Sequence, residues 1–213
     1  MAKRDKISMS VIRRLPRYYR YLTELMQSNV TRISSKDLSV KMGLTASQIR
    51  QDLNCFGGFG QQGYGYIVDQ LREEIANILD LNNAKKAIVL GAGNLGQAVA
   101  AYLEFETKGF LLIGIFDNNP AIIGKEVFEG IQVQDVAGLE DFCRKEHPEM
   151  AVVCTPKEPT GVLVEQMYNC GIRNFWNFSH FNISRKYPDV IVEAVHLNDS
   201  LMTLSYLMSD RQS

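Results

Sequence analysis

The 213 residues contain no apolar run approaching the roughly 18 consecutive residues that a membrane helix needs. The charged opening, Met1-Ala2-Lys3-Arg4-Asp5-Lys6, is followed by no apolar signal core, so the chain is expected in the cytoplasm. Its four cysteines, Cys55, Cys143, Cys154 and Cys170, form no CxxC pair, and no histidine stands near them at metal-ligand spacing. A bound metal is therefore not expected. The thiols read as reduced side chains filling small apolar sites. A direct thiol sensor is the alternative, but nothing in the sequence puts a resolving partner beside any of them. Histidine is scarce too: His147 ends a Lys-Glu-His-Pro helix terminus and reads as surface, and His180 could be a base but suits a loop or packing role better. A redox enzyme needs an acid or base near the nicotinamide, and no Lys/His or Tyr/Lys pair falls at dehydrogenase spacing, so no enzymatic activity is expected.

Net charge is −1, and this near-neutrality conceals a division. Residues 1–65 carry eleven Lys and Arg against four Asp and Glu, whereas the remainder carries twelve against twenty. Halves of opposite sign suggest one part that meets phosphate and one that does not.

The basic part is rich in helix signals. Leu15, Tyr18, Tyr19, Leu22, Leu25 and Met26 make one apolar face at helical spacing, with Pro16 suited to a first turn and Asn29 to the close. Two capping boxes follow. Ser34-Ser35-Lys36-Asp37 predicts a short helix through about Met42, and Thr45-Ala46-Ser47-Gln48 another through about Phe56. In each, the first side chain caps a backbone N–H and the fourth can reach back. Gly43-Leu44 breaks the chain between them, which outlines a helix-turn-helix. Ile49, Leu53 and Phe56 face inward on the second helix, leaving Ser47, Gln48, Arg50 and Gln51 outside. Such groups read base edges and hold phosphates, although a merely solvated face has the same composition. The run from Gly57 to Tyr66 holds five glycines and three aromatics, which predicts a β-hairpin and hence a winged helix, against a glycine loop without partners.

Val68 to Leu81 reads as a connecting helix. The strand Ala87-Ile88-Val89-Leu90 then runs into Gly91-Ala92-Gly93-Asn94-Leu95-Gly96, a helix is expected over Gln97 to Phe105, and a second strand, Leu111 to Phe116, ends at Asp117. A lone GxGxxG is weak evidence. This one has the full βαβ context, with an acid 21 residues beyond the last glycine. Gly91 permits the tight turn, Gly93 lets backbone approach a pyrophosphate, and Gly96 lets helix and strand pack. The helix N-terminus supplies N–H groups and positive charge. Asp117 would accept from ribose hydroxyls and repel a 2′-phosphate, which favours NAD(H) over NADP(H). Further strands are expected at 130–133, 150–154 and 174–178, with helices at 139–147 and 161–169. Ligands of open parallel sheets lie outside the carboxyl ends of the strands, so Thr155, Pro156, Asn177 and Phe178 are candidate walls for the nicotinamide half. Asn198 to Met208 is an amphipathic helix that follows the completed sheet and packs either on a partner subunit or on that sheet. The expected organisation is a winged-helix domain with its connecting helix over 1–80, a Rossmann-like doubly wound parallel sheet over 81–195, and a C-terminal helix over 196–213.

Together these stretches resemble the Rex family of redox-sensing transcriptional repressors. The resemblance rests on residues 14–22 (Arg-Leu-Pro-Arg-Tyr-Tyr-Arg-Tyr-Leu), 49–53 (Ile-Arg-Gln-Asp-Leu), Phe56-Gly57 with 63–66, and the glycine motif 91–96. It continues through Phe116-Asp117, Ile123-Gly124, Thr155-Pro156, Gly171-Ile172 and Asn177-Phe178. It implies a homodimer with an exchanged C-terminal helix, operator DNA bound when NAD+ predominates, and release by NADH at fermentation and respiration genes. It adds Ala92, Asn94, Leu95, Asn118 and Ile123 to the nucleotide site. It also implies a switch in which Tyr102, beside the nicotinamide, communicates with Arg20 and with an acid near the exchanged helix. Three positions depart from the pattern. The acid is replaced by His196, which could make the response depend on pH near neutrality. A common recognition-helix lysine is Gln51, and a common wing arginine or lysine is Gln62. Because Gln pairs with adenine where Arg and Lys favour guanine, an operator richer in A·T is expected. The rivals are an NAD-dependent oxidoreductase with a small N-terminal cap and a CoA- or nucleotide-binding scaffold without a DNA role.

Overall fold

A computed structural model describes residues 7–57, 59, 65–102, 105–128 and 130–210. The chain divides into two compact units, Met1–Asn82 and Asn83–Ser213. No helix among the described residues is long and apolar enough to cross a membrane.

The first unit begins with the short α1 (Met9–Ile12) and continues into α2 (Leu15–Gln27), which has Pro16 in its first turn, where a missing N–H costs nothing. Asn29 takes a left-handed φ of 57°, and the N–H of Val30 returns to the Leu25 carbonyl, closing the helix. Strand β1 (Arg32–Ile33), α3 (Ser35–Met42), α4 (Ala46–Asn54), β2 (Tyr66–Ile67) and α5 (Val68–Ile78) complete the unit. Ser34 caps α3 and Thr45 caps α4, each accepting from the backbone N–H three residues on, at 3.0 and 3.1 Å. Gly43, at φ 64°, makes the turn between them. The expected pair of capped helices is present, with α4 ending at Asn54, slightly before Phe56. Strand β2 pairs antiparallel with β1, Ile33 opposite Tyr66. Most of the expected wing hairpin, Gly58 and residues 60–64, lies outside the described residues.

One polar network crosses this core. Asp52, 1% exposed, accepts two hydrogen bonds from the Arg14 guanidinium (2.6 and 2.8 Å), one from the Tyr18 hydroxyl (2.9 Å) and one from the Gln48 amide (2.8 Å). The capping boxes close differently from the expected pattern. Gln48 turns forward to Asp52 instead of back to Thr45, because a buried carboxylate is the stronger acceptor. Asp37 accepts from the Ser34 hydroxyl at 2.6 Å.

The second unit alternates strand and helix. Strand β3 (Lys85–Leu90) leads into α6 (Asn94–Tyr102), a 3-10 turn at Phe105–Lys108, β4 (Phe110–Asp117), β5 (Glu126–Phe128) and β6 (Ile131–Asp135). After a turn at Val136–Gly138 come α7 (Leu139–Glu146), β7 (Met150–Val153), α8 (Lys157–Asn169), β8 (Asn174–Asn177), α9 (Ile183–Lys186), β9 (Ile191–Ala194) and α10 (Leu197–Asp210). The sheet order is β5-β6-β4-β3-β7-β8-β9, parallel except for the β5 edge. Strand order reverses between β3 and β7, the position at which open α/β sheets take ligands. One face packs Leu139, Cys143, Val164 and Met167 of α7 and α8, and the other packs Val99 and Ala100 of α6.

Some boundaries differ from expectation. Helix α6 begins inside the glycine motif and is described through Tyr102; residues 103–104, before its expected end at Phe105, lie outside the described residues. Helix α8 starts at Lys157 instead of Gly161, since Pro159 is tolerated in a first turn. Strands β5 and β9 are short edge strands with mostly exposed residues, which carry little apolar alternation.

Removing the centre of the polar network is the sharpest test of the first unit. Asp52→Ala leaves the Arg14 charge without its partner and should cost about 3–5 kcal/mol by denaturant unfolding. Burial pushes the Asp52 carboxyl up, and its hydrogen bonds from Arg14, Gln48 and Tyr18 outweigh this, holding it below the ordinary 3.8. Its contribution is therefore fully present above that value and is lost as pH falls below it and through the lowered folded value. Wild-type stability should drop steeply in that acid range, and the Asp52→Ala curve should be flatter there.

Candidate functional sites

The carboxyl ends of β3, β4 and β7 frame a cleft of about 650 Å³. Gly91, Gly93, Asn94 and Leu95 form its floor, Asp117 and Asn118 one side, and Thr155 and Pro156 the other. Each glycine has its own reason. Gly91 takes φ 94°, and a Cβ there would meet the Cys154 backbone and the Thr155 methyl. A Cβ on Gly96 would run into the Gly91 carbonyl, so only glycine lets α6 lie this close to the loop. Gly93 faces open space within the cleft, where a ligand can approach the backbone. The first N–H groups of α6 have no intrahelical acceptors and point to this loop, an anion-binding arrangement. Asp117 is held in place at the end of β4, its two oxygens accepting from the N–H of Ala92 (2.7 Å) and of Asn119 (2.8 Å). The chain's own residues thus fit a dinucleotide: backbone donors for a pyrophosphate and a fixed carboxylate for a ribose.

Other expected residues stand elsewhere. Ala92 is buried beneath the loop. Ile123, Asn177 and Phe178 do not line this cleft. Asn177 is 2% exposed, its amide donating to the Phe181 carbonyl and its oxygen accepting from the Ser179 N–H and hydroxyl. It shapes the turn after β8. Phe178 packs on Trp176, ring centroids 4.8 Å apart. Tyr102 ends α6, and its side chain lies outside the described residues. His196, just before α10, stacks on His180 with ring planes 6° apart. Arg20 is exposed on α2 in the first unit, near the Tyr21 ring. The sequence reading missed Val136, Ala137, Val162, Leu163 and Gln166, which also line the cleft. Sheet order brings the β6 turn and α8 there, and no local motif marks them. It also missed a sulfur contact: the Cys143 thiol on α7 donates to the Met167 sulfur on α8 at 3.9 Å. Burial pushes the Cys143 thiol up to about 12, so it stays protonated and unreactive at neutral pH.

On α4, Ser47, Arg50 and Gln51 are exposed on the outer face, while Ile49 and Leu53 are buried. The Arg50 guanidinium donates to the Ser35 hydroxyl at 3.0 Å, which steadies it across the two helices. Gln48 is half-buried beside them. Gln62 lies outside the described residues. No group of three or more potential metal ligands occurs among the described residues.

Comparison with known proteins accounts for both units. A family model described as a putative DNA-binding protein N-terminus matches residues 6–54, and a CoA-binding domain model matches 82–181. The redox-sensing transcriptional repressor Rex of Thermoanaerobacter pseudethanolicus is 50% identical over all of this chain and 94% of its own. That of Clostridium perfringens is 48% identical over 98% of each chain. A crystal structure of RSP with β-NAD+ and operator DNA superimposes with a TM-score of 0.87 at 48% identity, covering 98% of this chain and 95% of that one. RSP with β-NADH gives 0.87 at 46%, over 97% and 96%. With similarity of this level over its full length, the chain belongs to the Rex family of redox-sensing transcriptional repressors.

Proposed function

We propose that this chain is an NADH-responsive repressor that binds palindromic operator DNA through α4 and releases it when NADH fills the cleft between β3, β4 and β7. The reading is carried by one combination: a capped helix-turn-helix with Ser47, Arg50 and Gln51 outward, joined to a glycine cleft that ends at Asp117. Relatives at 46–48% identity hold NAD+ with operator DNA, or NADH. The CoA-binding model matches the same unit, but a carboxylate beside the glycine loop suits a ribose diol and disfavours a phosphorylated ribose. Residues 1–80 act as the DNA-binding domain, 81–195 as the nucleotide domain, and 196–213 as a helix exchanged between two copies in the cytoplasm.

NAD+ and NADH differ by one charge at the nicotinamide. A closed apolar pocket disfavours an unpaired cation, so neutral NADH favours the closed state. In this account closure moves the two recognition helices off the half-site spacing of about 34–36 Å. NADH need only bind that state better than the DNA-competent one. Arg20, Tyr102 and His196 carry the signal, with an imidazole where the family has a carboxylate. Gln51 and Gln62 favour an A·T-rich site.

The homodimer is supported by α10. None of its residues is buried, and Leu201, Leu204 and Leu207 are 51–65% exposed. An apolar face this large calls for a partner. The sheet also leaves a groove of about 700 Å³ beside Met150, Trp176 and Ile191, which a helix from a second copy could cover.

Fluorescence anisotropy with a palindromic A·T-rich duplex at fixed salt tests the switch. NADH should release the protein, and NAD+ at the same concentration should not. Release by neither nucleotide, or turnover of NADH, would contradict the reading. The double variant Leu201→Glu/Leu204→Glu should sediment as a monomer and bind the palindrome at least tenfold more weakly. A dimer that survives both substitutions would remove α10 from the interface.

A further inference from the structure

We infer that Gln48 reads one base of each half-site with a fixed polarity, and that Asp52 is the positioning residue that imposes it. The inference rests on the reading of α4 as the recognition helix. The Gln48 amide nitrogen donates to Asp52 Oδ1 at 2.8 Å. An ionised carboxylate only accepts hydrogen bonds, so the nitrogen end of the amide must face it. Asp52 is held in the ionised form by the Arg14 fork, with Nε at 2.6 Å and Nη2 at 2.8 Å, and by the Tyr18 hydroxyl at 2.9 Å. Each of its oxygens takes two hydrogen bonds. It is 1% exposed and sits one helical turn from Gln48. The amide therefore cannot turn end for end.

The consequence lies at the other end of the amide. Among the described residues, the Gln48 oxygen takes no hydrogen bond, and the side chain is half-exposed beside the outward Ser47 and Gln51. A free glutamine can present either end to DNA, so it tolerates donors and acceptors alike. Gln48 presents its acceptor. In the major groove the exocyclic donors are the adenine N6 and cytosine N4 amines, whereas guanine O6 and thymine O4 are acceptors. Gln48 thus selects a base that carries an amine and rejects one that carries a carbonyl. Arg14, the residue that precedes α2, contributes to specificity only through Asp52.

A duplex selected from a random pool by the full-length protein supplies the site, and each half-site base pair is then replaced in turn. Against Gln48→Ala, wild type should show one position at which A or C is preferred over G or T by roughly fivefold, the worth of one hydrogen bond. Replacing an adenine there by purine, which lacks the N6 amine, should weaken wild type by the same factor and leave Gln48→Ala unchanged. Asp52→Asn, which lets the amide reverse, should reduce that preference to near one, a larger change than at any other position of the half-site. If Asp52→Asn does not fold, the purine comparison decides alone. Identical base profiles for wild type and Gln48→Ala, or a lost position that prefers G or T, would overturn the inference and leave α4 as recognition helix. Failure to select any duplex would instead overturn the reading of α4, and this inference with it.

Discussion

The close approach of Gly96 to the carbonyl of Gly91 is the constraint on which the nucleotide unit depends. A methyl group at residue 96 has nowhere to go except into backbone. Its absence lets α6 lie against the end of β3 and aims the helix N-terminus at the point where strand order reverses. The loop that results is braced by Asp117, whose carboxylate ties the Ala92 N–H to the end of β4. The same carboxylate that would meet a ribose therefore also shapes the floor on which a pyrophosphate would lie. Strand order brings α8 and the turn after β6 to the rim, giving the cleft apolar walls in Val136, Val162 and Leu163.

The DNA-binding unit depends on a different kind of contact. Its apolar core, from Leu15 and Tyr18 to Leu53 and Leu71, holds four helices together. Apolar packing alone is non-directional, and the angle at which α4 meets α2 needs something more specific. Asp52 supplies this: Arg14, just before α2, and Tyr18 on it converge on one carboxylate of α4 with two charge-assisted bonds and a hydroxyl. A buried ion pair of this type contributes little net stability over an apolar replacement. Its value here is orientation, since it sets both the helix and one side chain on its outer face.

Local grammar was legible in the sequence and long-range assembly was not. The caps at Ser34 and Thr45, the turn at Gly43 and the glycine motif are written within a few residues, and each is where the spacing predicts it. The αL close at Asn29 is equally local. Arg14 and Asp52 lie 38 residues apart, so neither residue alone signals the pair. The Cys143–Met167 contact arises from packing α7 on α8, and the cleft walls on α8 arise from sheet order. Asn177, a candidate wall because it ends a parallel strand, also builds its own turn, and that second role is not marked by the strand pattern. Strand β9 escaped notice because edge strands need not alternate.

A repressor controlled by a nucleotide requires that the two sites share free energy. If NADH and operator favour different states of one molecule, each must weaken the other by the same factor, whatever path the signal takes. Neither the glycine cleft nor α4 can reveal this separately. The decisive measurement is the NADH dissociation constant of the full-length protein, determined with and without saturating operator duplex at one salt concentration. The account predicts that operator raises it by the same factor by which NADH raises the operator dissociation constant. An NADH affinity indifferent to operator would mean that the two sites are not coupled, and would contradict the account.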